Sequence, residues 1–487
     1  MARDYLLSLD LTTAKSLGLR IAEAIVSDIT RGRLQPGDKL PGSRRLALRL
    51  GVNRNTVNAA LADLVAQGWL ETAPARGVFV RARDAREPLP RRRGKAHRPG
   101  LAVHPGFSLP PLLTGSVGRA RGDKELVLTG GVPDPRLFPY VPLTRAYRRV
   151  LARRGPGLLD YGDARGEARL REGLARMLAE TRGLAARADD VLITRGSQQA
   201  IWLAAQALLR PGDRVGVETY GYPPALQALR STGAVLVPLN VDAEGVRLDE
   251  LERALTAGGL VAAHLTPHHQ YPTMASLSAP RRLALLALAQ RHRFALIEDD
   301  YSHEFHFTGR PRLPLASQDE HGVVIYVGSL SKVLAPGLRI GYAVAPAPVL
   351  ERMAALRTSI DRQGDNVAEA AVAELLEDGE LARHARRMRQ VYQARRDVLM
   401  TALRDTLGER VSFEVPQGGM ALWVQVHGGD PVAWAEKARE RGVTFGAGRD
   451  YHVFRKPVPF VRMGFTRLDE RELRRAVRLA ETAWVEA

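Results

Sequence analysis

The stretch Gly328-Ser-Leu-Ser-Lys-Val-Leu-Ala-Pro-Gly-Leu-Arg-Ile-Gly341 places one lysine, Lys332, in a loop with two serines before it and an arginine after it. The apolar residues 323–327 precede this loop and have the length and composition of a buried strand. Upstream, the apolar residues 294–297 lead into Glu298-Asp-Asp-Tyr301 in the same way. Two predicted strands therefore end in chemically active side chains, which predicts a shared site at one edge of a sheet.

The surrounding chain alternates short apolar strands with longer helices. The predicted buried strands are residues 191–194, 214–217, 294–297 and 323–327, and the predicted helices are residues 198–209, 280–291 and 348–360. This alternation predicts an α/β domain with a mostly parallel sheet and helices on both of its faces. Ligands of such sheets bind at the carboxyl ends of the strands, where the side chains described above stand.

The residue types that follow the strands fit the chemistry of pyridoxal 5′-phosphate. Lys332 supplies the amine for a Schiff base with the cofactor aldehyde. Asp299 pairs with the pyridine nitrogen, which makes the ring an electron sink, and Tyr301 donates to the phenolic oxygen. A lone carboxylate after a strand also serves as a helix cap, and a lone loop lysine is usually solvated. The prediction therefore depends on the joint arrangement.

Phosphate and ring contacts are predicted for residues that follow the other strands. The turn Arg195-Gly-Ser197 opens a helix whose free N–H groups can hold a phosphate. Side chains predicted to bind the cofactor at these positions are Ser197, Gln198, Ser329, Ser331 and Arg339. Arginine offers the phosphate a planar fork of donors, and Tyr222 is placed to stack on the ring. N-capping explains Ser197 equally well, and Tyr222 also fits a core aromatic residue.

The first eighty residues follow a different pattern. A helix is predicted over residues 17–31, and a short helix over residues 44–50 has Ser43 as its cap and Gly51 at its end. Asn53 is predicted to cap the next helix. Residues 69–72 and 78–81 have the composition of two short strands. Three helices and a hairpin are typical of a winged helix-turn-helix domain, whose second helix of the pair enters the major groove of DNA.

This region closely resembles the GntR type of DNA-binding domain. The motifs are Gly32-Arg-Leu-Gln-Pro-Gly-Asp-Lys-Leu-Pro-Gly-Ser-Arg-Arg-Leu-Ala47, Leu50-Gly-Val-Asn-Arg-Asn-Thr-Val57 and Gly77-Val-Phe-Val80. The resemblance implies phosphate or base contacts by Arg44, Arg54, Asn55 and Thr56, and minor-groove contacts by the wing residues Arg76 and Gly77. The sequence departs from the family pattern at Gly42 and at residues 75–78.

Positive charge is concentrated at the same end of the chain. The formal net charge is +18 over 487 residues, and residues 1–100 carry a surplus of 10 positive charges. This concentration suggests a polyanionic partner; the alternative is a solvated basic segment. The absence of cysteine excludes disulfides and fits the cytoplasm. No signal peptide or membrane span is predicted.

Three regions are expected: a DNA-binding domain over residues 1–81, a linker over residues 82–123 and a cofactor-binding domain over residues 124–487. The linker contains the basic run Arg91-Arg-Arg-Gly-Lys-Ala-His-Arg98 between prolines. Such a composition resists packing. The linker serves as a spacer or as a sequence-independent contact with the DNA backbone.

The large domain resembles fold-type I aminotransferases, and the whole chain resembles the MocR family of regulators, in which such a domain is fused to a GntR head. The motifs are Gly131-Val-Pro-Asp-Pro-Arg-Leu-Phe-Pro139, Asp160-Tyr-Gly-Asp-Ala-Arg-Gly166, Thr266-Pro-His-His-Gln-Tyr-Pro-Thr273, Glu298-Asp-Asp-Tyr301 and Gly328-Ser-Leu-Ser-Lys332. The resemblance implies a small C-terminal α+β subdomain and a homodimer in which Tyr161 reaches the neighbouring cofactor phosphate.

The same resemblance implies roles for three further positions. Arg462 becomes the anchor for an effector carboxylate, although it also fits a structural salt bridge. His269 or Gln270 stands near the phenolic oxygen of the cofactor. Met274 occupies a position where glycine is common.

Three functions remain to be distinguished. The first is a transcription regulator in which an amino-acid-like effector, or pyridoxal phosphate itself, binds the aminotransferase-like domain and modulates operator binding, with at most residual transamination. The second is an active aminotransferase that carries a DNA-binding extension. The third is a DNA-binding repressor with a relic cofactor site. The helix-turn-helix residues favour the first over the second, and the intact Lys332, Asp299 and Arg339 argue against the third.

Overall fold

The computed structural model describes residues 16–74, 76–81, 106–109, 125–309 and 311–485. Residues 1–15 and most of the predicted linker, including its basic run at residues 91–98, lie outside the described residues. The chain divides into two compact units, Met1–Leu109 and Pro110–Ala487. Among the described helices, none combines the length and apolar character that crossing a bilayer requires.

The first unit contains three helices and one antiparallel hairpin. Its elements are α1 (Leu17–Thr30), α2 (Ser43–Leu50), α3 (Arg54–Ala66), β1 (Leu70–Ala73) and β2 (Gly77–Val80). The apolar residues on the inner face of α3, Val57, Leu61 and Leu64, are buried in one core with Ile21 and Ile25 of α1. The predicted winged helix-turn-helix arrangement is therefore confirmed.

Local signals set the ends of these helices. The side chain of Asn53 accepts a hydrogen bond from the backbone N–H of Asn55 at 2.8 Å, which is the predicted cap of α3. Gly51 ends α2 with φ of 62°, a left-handed conformation that glycine adopts without strain. The prediction for Ser43 was wrong by one residue, because Ser43 is the first helical residue and Gly42 precedes it as the cap.

The second unit contains most of the chain. Its helices are α4 (Tyr140–Leu159), α5 (Ala168–Arg182), α6 (Ser197–Leu208), α7 (Pro223–Arg230), α8 (Leu248–Thr256), α9 (Ala279–His292), α10 (Ala347–Ile360), α11 (Asn366–Glu377), α12 (Glu380–Leu407), α13 (Pro431–Glu440) and α14 (Glu470–Glu481). Its strands are β3 (Leu126–Val127), β4 (Val191–Thr194), β5 (Arg214–Glu218), β6 (Val235–Leu239), β7 (Val241–Asp242), β8 (Gly245–Val246), β9 (Ala262–Leu265), β10 (Ala295–Asp300), β11 (Val324–Ser329), β12 (Gly341–Val344), β13 (Val411–Ser412), β14 (Ala421–Val426), β15 (Val443–Thr444), β16 (Gly446–Ala447) and β17 (Phe460–Gly464).

A seven-stranded sheet forms the centre of this unit, in the order β4-β12-β11-β10-β9-β5-β6. Strand β12 runs antiparallel to both of its neighbours, and the pairs among the other strands are parallel. Successive residues of β4 belong to different cores, Leu192 to one and Ile193 to another. Since side chains alternate along a strand, the sheet is covered on both faces. The predicted α/β architecture is confirmed.

The sheet is longer at its functional edge than the apolar pattern indicated. Asp299 was expected after its strand, yet it lies within β10 and pairs in register with Val327 of β11. Ser329 likewise ends β11 and pairs with Gly341. Strands continue into polar residues here because each has neighbours that supply backbone hydrogen-bond partners. The strand ends were therefore predicted too early.

The C-terminal part forms the expected smaller α+β layer. Four strands pair in the order β13-β14-β17-β16, and all three pairings are antiparallel. Helices α12, α13 and α14 contribute Tyr392, Trp434 and Val477 to the core shared with β14 and β17. Arg462 lies in β17 opposite Trp423 of β14, so this layer delivers the predicted carboxylate anchor.

Candidate functional site

Lys332 lies half-buried beside the backbone at residues 130–131. Its Nζ donates to the carbonyl oxygen of Gly131 at 3.2 Å. Burial, and next the positive charge of Arg462, lower the pKa of Lys332 to about 8, while Asp299 opposes this shift. A lysine with this pKa is neutral far more often than an exposed one, and the neutral amine is the nucleophile.

Asp299 is the buried carboxylate of the site. Burial, and next the charge of Asp300, raise the pKa of Asp299 to about 7, and Lys332 acts in the opposite direction. Its Oδ1 has no hydrogen-bond partner among the described residues, and its Oδ2 lies 3.9 Å from Nε2 of His264. A buried carboxyl group with a raised pKa is suited to a cationic N–H donor. Such a partner lowers the pKa again and so favours the ionised carboxylate.

The turn between β4 and α6 carries residues predicted to hold the cofactor phosphate. Gly196 has φ of 76° and precedes Ser197, the first residue of α6. A Cβ at Gly196 would lie 3.1 Å from Nη1 of Arg339, so the guanidinium packs directly on this turn. The Arg339 Nη2 donates to the carbonyl of Arg195 at 2.8 Å. Glycine at position 196 thus brings an arginine to the start of a helix whose N–H groups favour anions.

Two further predicted cofactor residues contribute unpartnered polar atoms. The hydroxyl of Ser331 and the Oε1 of Gln198 are buried without hydrogen-bond partners in the described part of the chain. Ser329 is also buried. The other amide atom of Gln198, Nε2, donates to the carbonyl of Pro224 at 2.7 Å, which fixes the side chain next to the Gly196 turn.

Arg462 is surrounded by aromatic rings. The side chain is completely buried and has no acidic partner among the described residues. None of its three guanidinium nitrogens makes a well-aligned hydrogen bond to a described residue, although the Tyr451 hydroxyl lies within reach of the guanidinium. Its guanidinium carbon lies 4.4 Å from the centre of the Tyr271 ring, a cation–π contact. Tyr301 and Tyr451 pack on Tyr271 at centroid distances of 5.8 and 5.7 Å. An arginine without an acidic partner is therefore held ready for an anion.

Gly131 brings the lysine and the arginine into one site. Its carbonyl accepts from Lys332, and a Cβ at this glycine would lie 3.3 Å from Nη2 of Arg462. Its φ of 52° also favours glycine. The backbone therefore approaches both cations closely, as a side chain here would not allow.

Tyr222 and Tyr301 belong to an aromatic cluster that also contains Tyr271 and Tyr451. Tyr222 contacts the Tyr271 ring edge-on at 5.3 Å, and burial raises its pKa to about 12. Burial also raises the pKa of Tyr301 far above its usual value, so both phenols remain hydrogen-bond donors at neutral pH. The hydroxyl of Tyr301 lies 3.9 Å from the sulfur of Met274, a weak contact that leaves it available to another acceptor.

In the loop that follows β9, His269 and Gln270 both have partners within the protein. His269, predicted near the phenolic oxygen, contacts Ser302, His268 and His306. Gln270 braces the loop, since its Nε2 donates to two backbone carbonyls at 2.7 Å. The cofactor role of His269 stays a prediction, and the aromatic cluster makes Tyr271 the stronger candidate from this loop.

Sequence reasoning missed Tyr271 because a tyrosine next to a proline carries no chemical signature of its own. Met274, which replaces a common glycine, has φ of 66° and is buried. A left-handed backbone explains why glycine suits this position. The sulfur of Met274 fills space beside Tyr301.

Tyr161 does not join the other site residues within this chain. Its side chain is 72% exposed, and the guanidinium carbon of Arg362 lies 3.9 Å from its ring centre. A tyrosine so exposed and braced by an arginine is available to a second molecule. Its predicted contact with a neighbouring phosphate stays a prediction.

The polar groups of the site match the polar groups of pyridoxal phosphate. Within the described residues, the site offers the half-buried amine of Lys332, a carboxyl group with an unpartnered oxygen, and donors for a phosphate around the Gly196 turn. Each corresponds to one polar part of the cofactor: its aldehyde, its ring nitrogen and its phosphate. Lys332 would hold the cofactor covalently, Asp299 would face its ring nitrogen, and Ser197, Ser329, Ser331 and Arg339 would surround its phosphate.

The predicted DNA-contacting residues form an exposed polar surface on the first unit. Arg44, Arg54 and Asn55 are exposed, and Thr56 is half-buried at the start of α3. The Nε of Arg54 donates to the hydroxyl of Ser43 at 3.4 Å, which links α3 to α2. Exposed donors at the start of the second helix of the pair are suited to phosphates and base edges.

The wing residues are also exposed. Arg76 lies 5.8 Å from the ring centre of Phe79, and Gly77 has φ of 116°. Ala75 lies outside the described residues. The hairpin thus presents one cation at its tip, and a side chain at position 77 would both strain the backbone and approach Lys39.

Comparison with known proteins relates both units to known families. Residues 136–479 match the family described as aminotransferase class I and II, and residues 17–80 match bacterial regulatory proteins of the gntR family. The chain is 36% identical over 444 residues to the HTH-type transcriptional regulator TauR of Rhodobacter capsulatus, covering 89% of each protein. It is 28% identical over 470 residues to the probable rhizopine catabolism regulatory protein MocR of Rhizobium meliloti, covering 96% of this chain and 93% of that protein.

A solved structure shows the same likeness for the second unit. Kynurenine aminotransferase of Pyrococcus horikoshii, in complex with PMP, matches with a TM-score of 0.70 and 30% sequence identity. The match covers 74% of this chain and 91% of that enzyme. Similarity to aminotransferases thus covers the second unit, and similarity to the two regulators extends over nearly the whole chain.

Proposed function

Because the chain belongs to the MocR-type family of transcriptional regulators, we propose that it senses a small amino compound through its aminotransferase-like domain. The chain is a DNA-binding regulator, and pyridoxal 5′-phosphate is its cofactor. Binding of the amino compound alters the affinity of the winged helix for its operator. A coupling free energy of about 1.4 kcal/mol between the two sites changes that affinity tenfold.

The observation that carries this proposal is the unpartnered guanidinium of Arg462 in the same site as Lys332. Burying an arginine without an acidic partner is costly for folding. A ligand carboxylate would complete its hydrogen bonds, and an amine on the same ligand would reach the region of Lys332. The two cations therefore select compounds that carry both groups.

Each side chain has a defined task in this proposal. Pyridoxal phosphate, when bound, supplies an aldehyde that exchanges between amines and a ring that withdraws electrons. Lys332 presents its amine in the neutral form more readily because burial lowers its pKa to about 8. Asp299 keeps a ring nitrogen protonated through its free Oδ1. Arg339 neutralises phosphate charge at the start of α6.

We further propose that the first unit binds the operator through two exposed surfaces, the helix-turn-helix and the wing. Arg44, Arg54, Asn55 and Thr56 contact the major groove and its phosphates, and the wing at Arg76 and Gly77 contacts the minor groove. Exposure of Arg44 on α2 and of Arg54 at the start of α3 supports this assignment. Phosphate contacts of this kind make the affinity fall steeply as salt is added.

A homodimer is part of the same proposal. Tyr161 is exposed, and the Arg362 guanidinium packed on its ring holds it in place. In a dimer its hydroxyl would donate to the cofactor phosphate of the partner chain. Two winged helices on one dimer would bind two half-sites of an operator.

The test uses full-length protein loaded with pyridoxal phosphate and a panel of amino acids. The panel contains matched compounds that lack either the amine or the carboxylate. We expect the visible absorption of the bound cofactor to change only with compounds that carry both groups. DNA selected by the protein from random sequence then serves for fluorescence anisotropy at fixed salt. At least a fivefold change in DNA affinity with the active compound supports sensing; an unchanged affinity for every compound, and for added pyridoxal phosphate, would refute it.

The alternative is an active aminotransferase with a DNA-binding extension. The complete set of Lys332, Asp299 and Tyr301 in the geometry described above favours retained chemistry. Multiple turnovers with an amino acid and a 2-oxo acid, at rates that do not depend on DNA, would support this alternative. Turnover that stops after one equivalent per chain would support sensing.

A further inference from the structure

Four histidines lie together outside the aromatic cluster. His268 and His269 follow β9, and His303 and His306 follow β10, the neighbouring parallel strand. All four side chains are buried, with exposed fractions of 3%, 2%, 5% and 8%. The carboxyl ends of adjacent parallel strands lie at one edge of a sheet, so residues more than thirty positions apart meet here.

The imidazoles of this histidine cluster lack ordinary partners. Both ring nitrogens of His268, Nε2 of His269, Nε2 of His303 and Nδ1 of His306 are buried without hydrogen bonds among the described residues. Buried polar atoms are nearly always paired in folded proteins. Five such nitrogens among the described residues of one cluster therefore point to a missing ligand that accepts electron pairs from several imidazoles at once.

The geometry suits a single metal ion. One nitrogen from each of His268, His269 and His306 lies within 4.8 Å of the other two. A tetrahedral zinc ion binds imidazole at about 2.0–2.1 Å, which separates its ligand nitrogens by about 3.3 Å. Side-chain rotations that shorten the nitrogen–nitrogen distances by at most about 1.5 Å would bring the three imidazoles into that geometry.

The surrounding contacts match those of metal-binding histidines. The Nδ1 of His269 lies 2.9 Å from the hydroxyl of Ser302, which leaves Nε2 for a ligand. A hydrogen bond from the second ring nitrogen commonly orients a histidine that binds metal. A Cβ at Gly418 would lie 2.2 Å from that Nε2. The imidazole edge of His269 therefore occupies the space that a side chain at position 418 would fill.

His303, the fourth histidine of the cluster, links His268 to an acidic residue. Its ring stacks on His268 at 4.5 Å, and its Nδ1 lies 3.0 Å from the Asp300 carboxylate. That carboxylate supplies a nearby negative charge for a cation. His303 also lines a cavity of about 650 Å³.

We propose that His268, His269 and His306 bind one divalent transition-metal ion, with zinc as the representative. Imidazole ligands suit zinc, copper, nickel and iron, and the chain has no cysteine to offer a softer site. Three protein ligands leave a fourth position for water or another small ligand. The ion ties the loop that carries Tyr271 to the loop that follows Asp299 and Tyr301, and so sets the distance between two walls of the cofactor site.

The test measures zinc binding to the full-length protein without an affinity tag, after treatment with a chelator. Isothermal titration with zinc chloride is expected to show one ion per chain. His268→Asn and His306→Asn are each expected to weaken this binding at least tenfold. The matched control is His384→Asn, because His384 is equally buried and also has an unpartnered Nδ1, but lies on α12. The control variant is expected to bind zinc as the natural protein does.

Zinc X-ray absorption on the unmutated protein provides a readout that does not depend on a variant folding. Three nitrogen ligands at about 2.0–2.1 Å with the signature of imidazole support the site. Absence of stoichiometric zinc binding to the unmutated protein overturns the proposal. Equal zinc affinity in the natural protein and the His268→Asn and His306→Asn variants also overturns it, because the ion then lies elsewhere. None of these outcomes depends on whether the protein senses an amino compound.

Discussion

Replacing Arg462 by methionine should stabilise the protein when no effector is present. Methionine keeps an unbranched side chain of similar length and removes the buried charge. Leaving a buried donor unsatisfied costs about 1–3 kcal/mol, and more for a charged group. Within the part of the chain that the structure describes, none of the three guanidinium nitrogens has a well-aligned hydrogen-bond partner. The contact with Tyr271 at 4.4 Å offsets about 2 kcal/mol of that cost.

The net effect follows from these opposing contributions. Replacing buried charges by well-packed apolar side chains often stabilises proteins by about 1–4 kcal/mol. We therefore expect the free energy of unfolding to rise by about 1–3 kcal/mol in Arg462→Met. Affinity for amino acids should fall at least tenfold in the same variant, while affinity for amines without a carboxylate should not change.

Arg395 offers a matched control with the opposite expectation. It is as buried as Arg462, but its Nη2 lies 3.0 Å from Asp134 and its Nη1 donates to the carbonyl of Thr466 at 2.8 Å. Removing one partner of a buried ion pair costs about 3–5 kcal/mol. Arg395→Met should therefore lower the free energy of unfolding.

Urea denaturation followed by circular dichroism measures both variants under the same conditions. The midpoint should move to higher urea for Arg462→Met and to lower urea for Arg395→Met, with unchanged slopes. If Arg462→Met loses as much stability as Arg395→Met, the Arg462 guanidinium has partners in the folded protein. The reasoning that makes it a free carboxylate anchor would then be wrong.

Four further outcomes follow from the same geometry. Uptake of pyridoxal phosphate by the cofactor-free protein should quicken as pH rises through about 8, because Lys332 loses its proton there. The Lys332→Ala variant should lack the visible absorption band of the bound cofactor. Asp299 has a pKa raised from 3.8 to about 7. The free energy of unfolding of the cofactor-free protein should therefore fall by up to about 4 kcal/mol as pH rises between these values. The Asp299→Asn variant should lack that loss when unfolding is measured at pH 4 and 7. Arg54→Ala should weaken operator binding by about 1–3 kcal/mol in anisotropy titrations, and an unchanged affinity would remove Arg54 from the interface. Tyr161→Phe should weaken cofactor binding without changing the oligomeric state measured by analytical ultracentrifugation, and equal cofactor affinity would contradict the contact across the dimer.

Much of the molecule could be predicted from local patterns in the sequence. Strand β4 begins and ends where its apolar residues predicted, and α3 begins after the predicted cap Asn53. These features depend on residues close together in the chain. The family motifs around Lys332 and Asp299 could likewise be identified from short stretches.

The end of β10 depended on tertiary structure. Asp299 belongs to the strand because β11 lies beside it and pairs in register with it, and a window of neighbouring residues carries no information on that partner. The same holds for Tyr271, whose importance comes from Arg462, a residue nearly two hundred positions later.

The amino-acid sequence determined the elements of this protein, their order and the chemical groups that follow each strand, because hydrophobic period, caps and turns act over a few residues. The tertiary structure decided which of those groups meet. It left Arg462 without a partner beside Lys332, and it brought His268 and His269 against His303 and His306. The physical reason is that strand order places distant residues side by side, and burial then removes the water that would otherwise satisfy them.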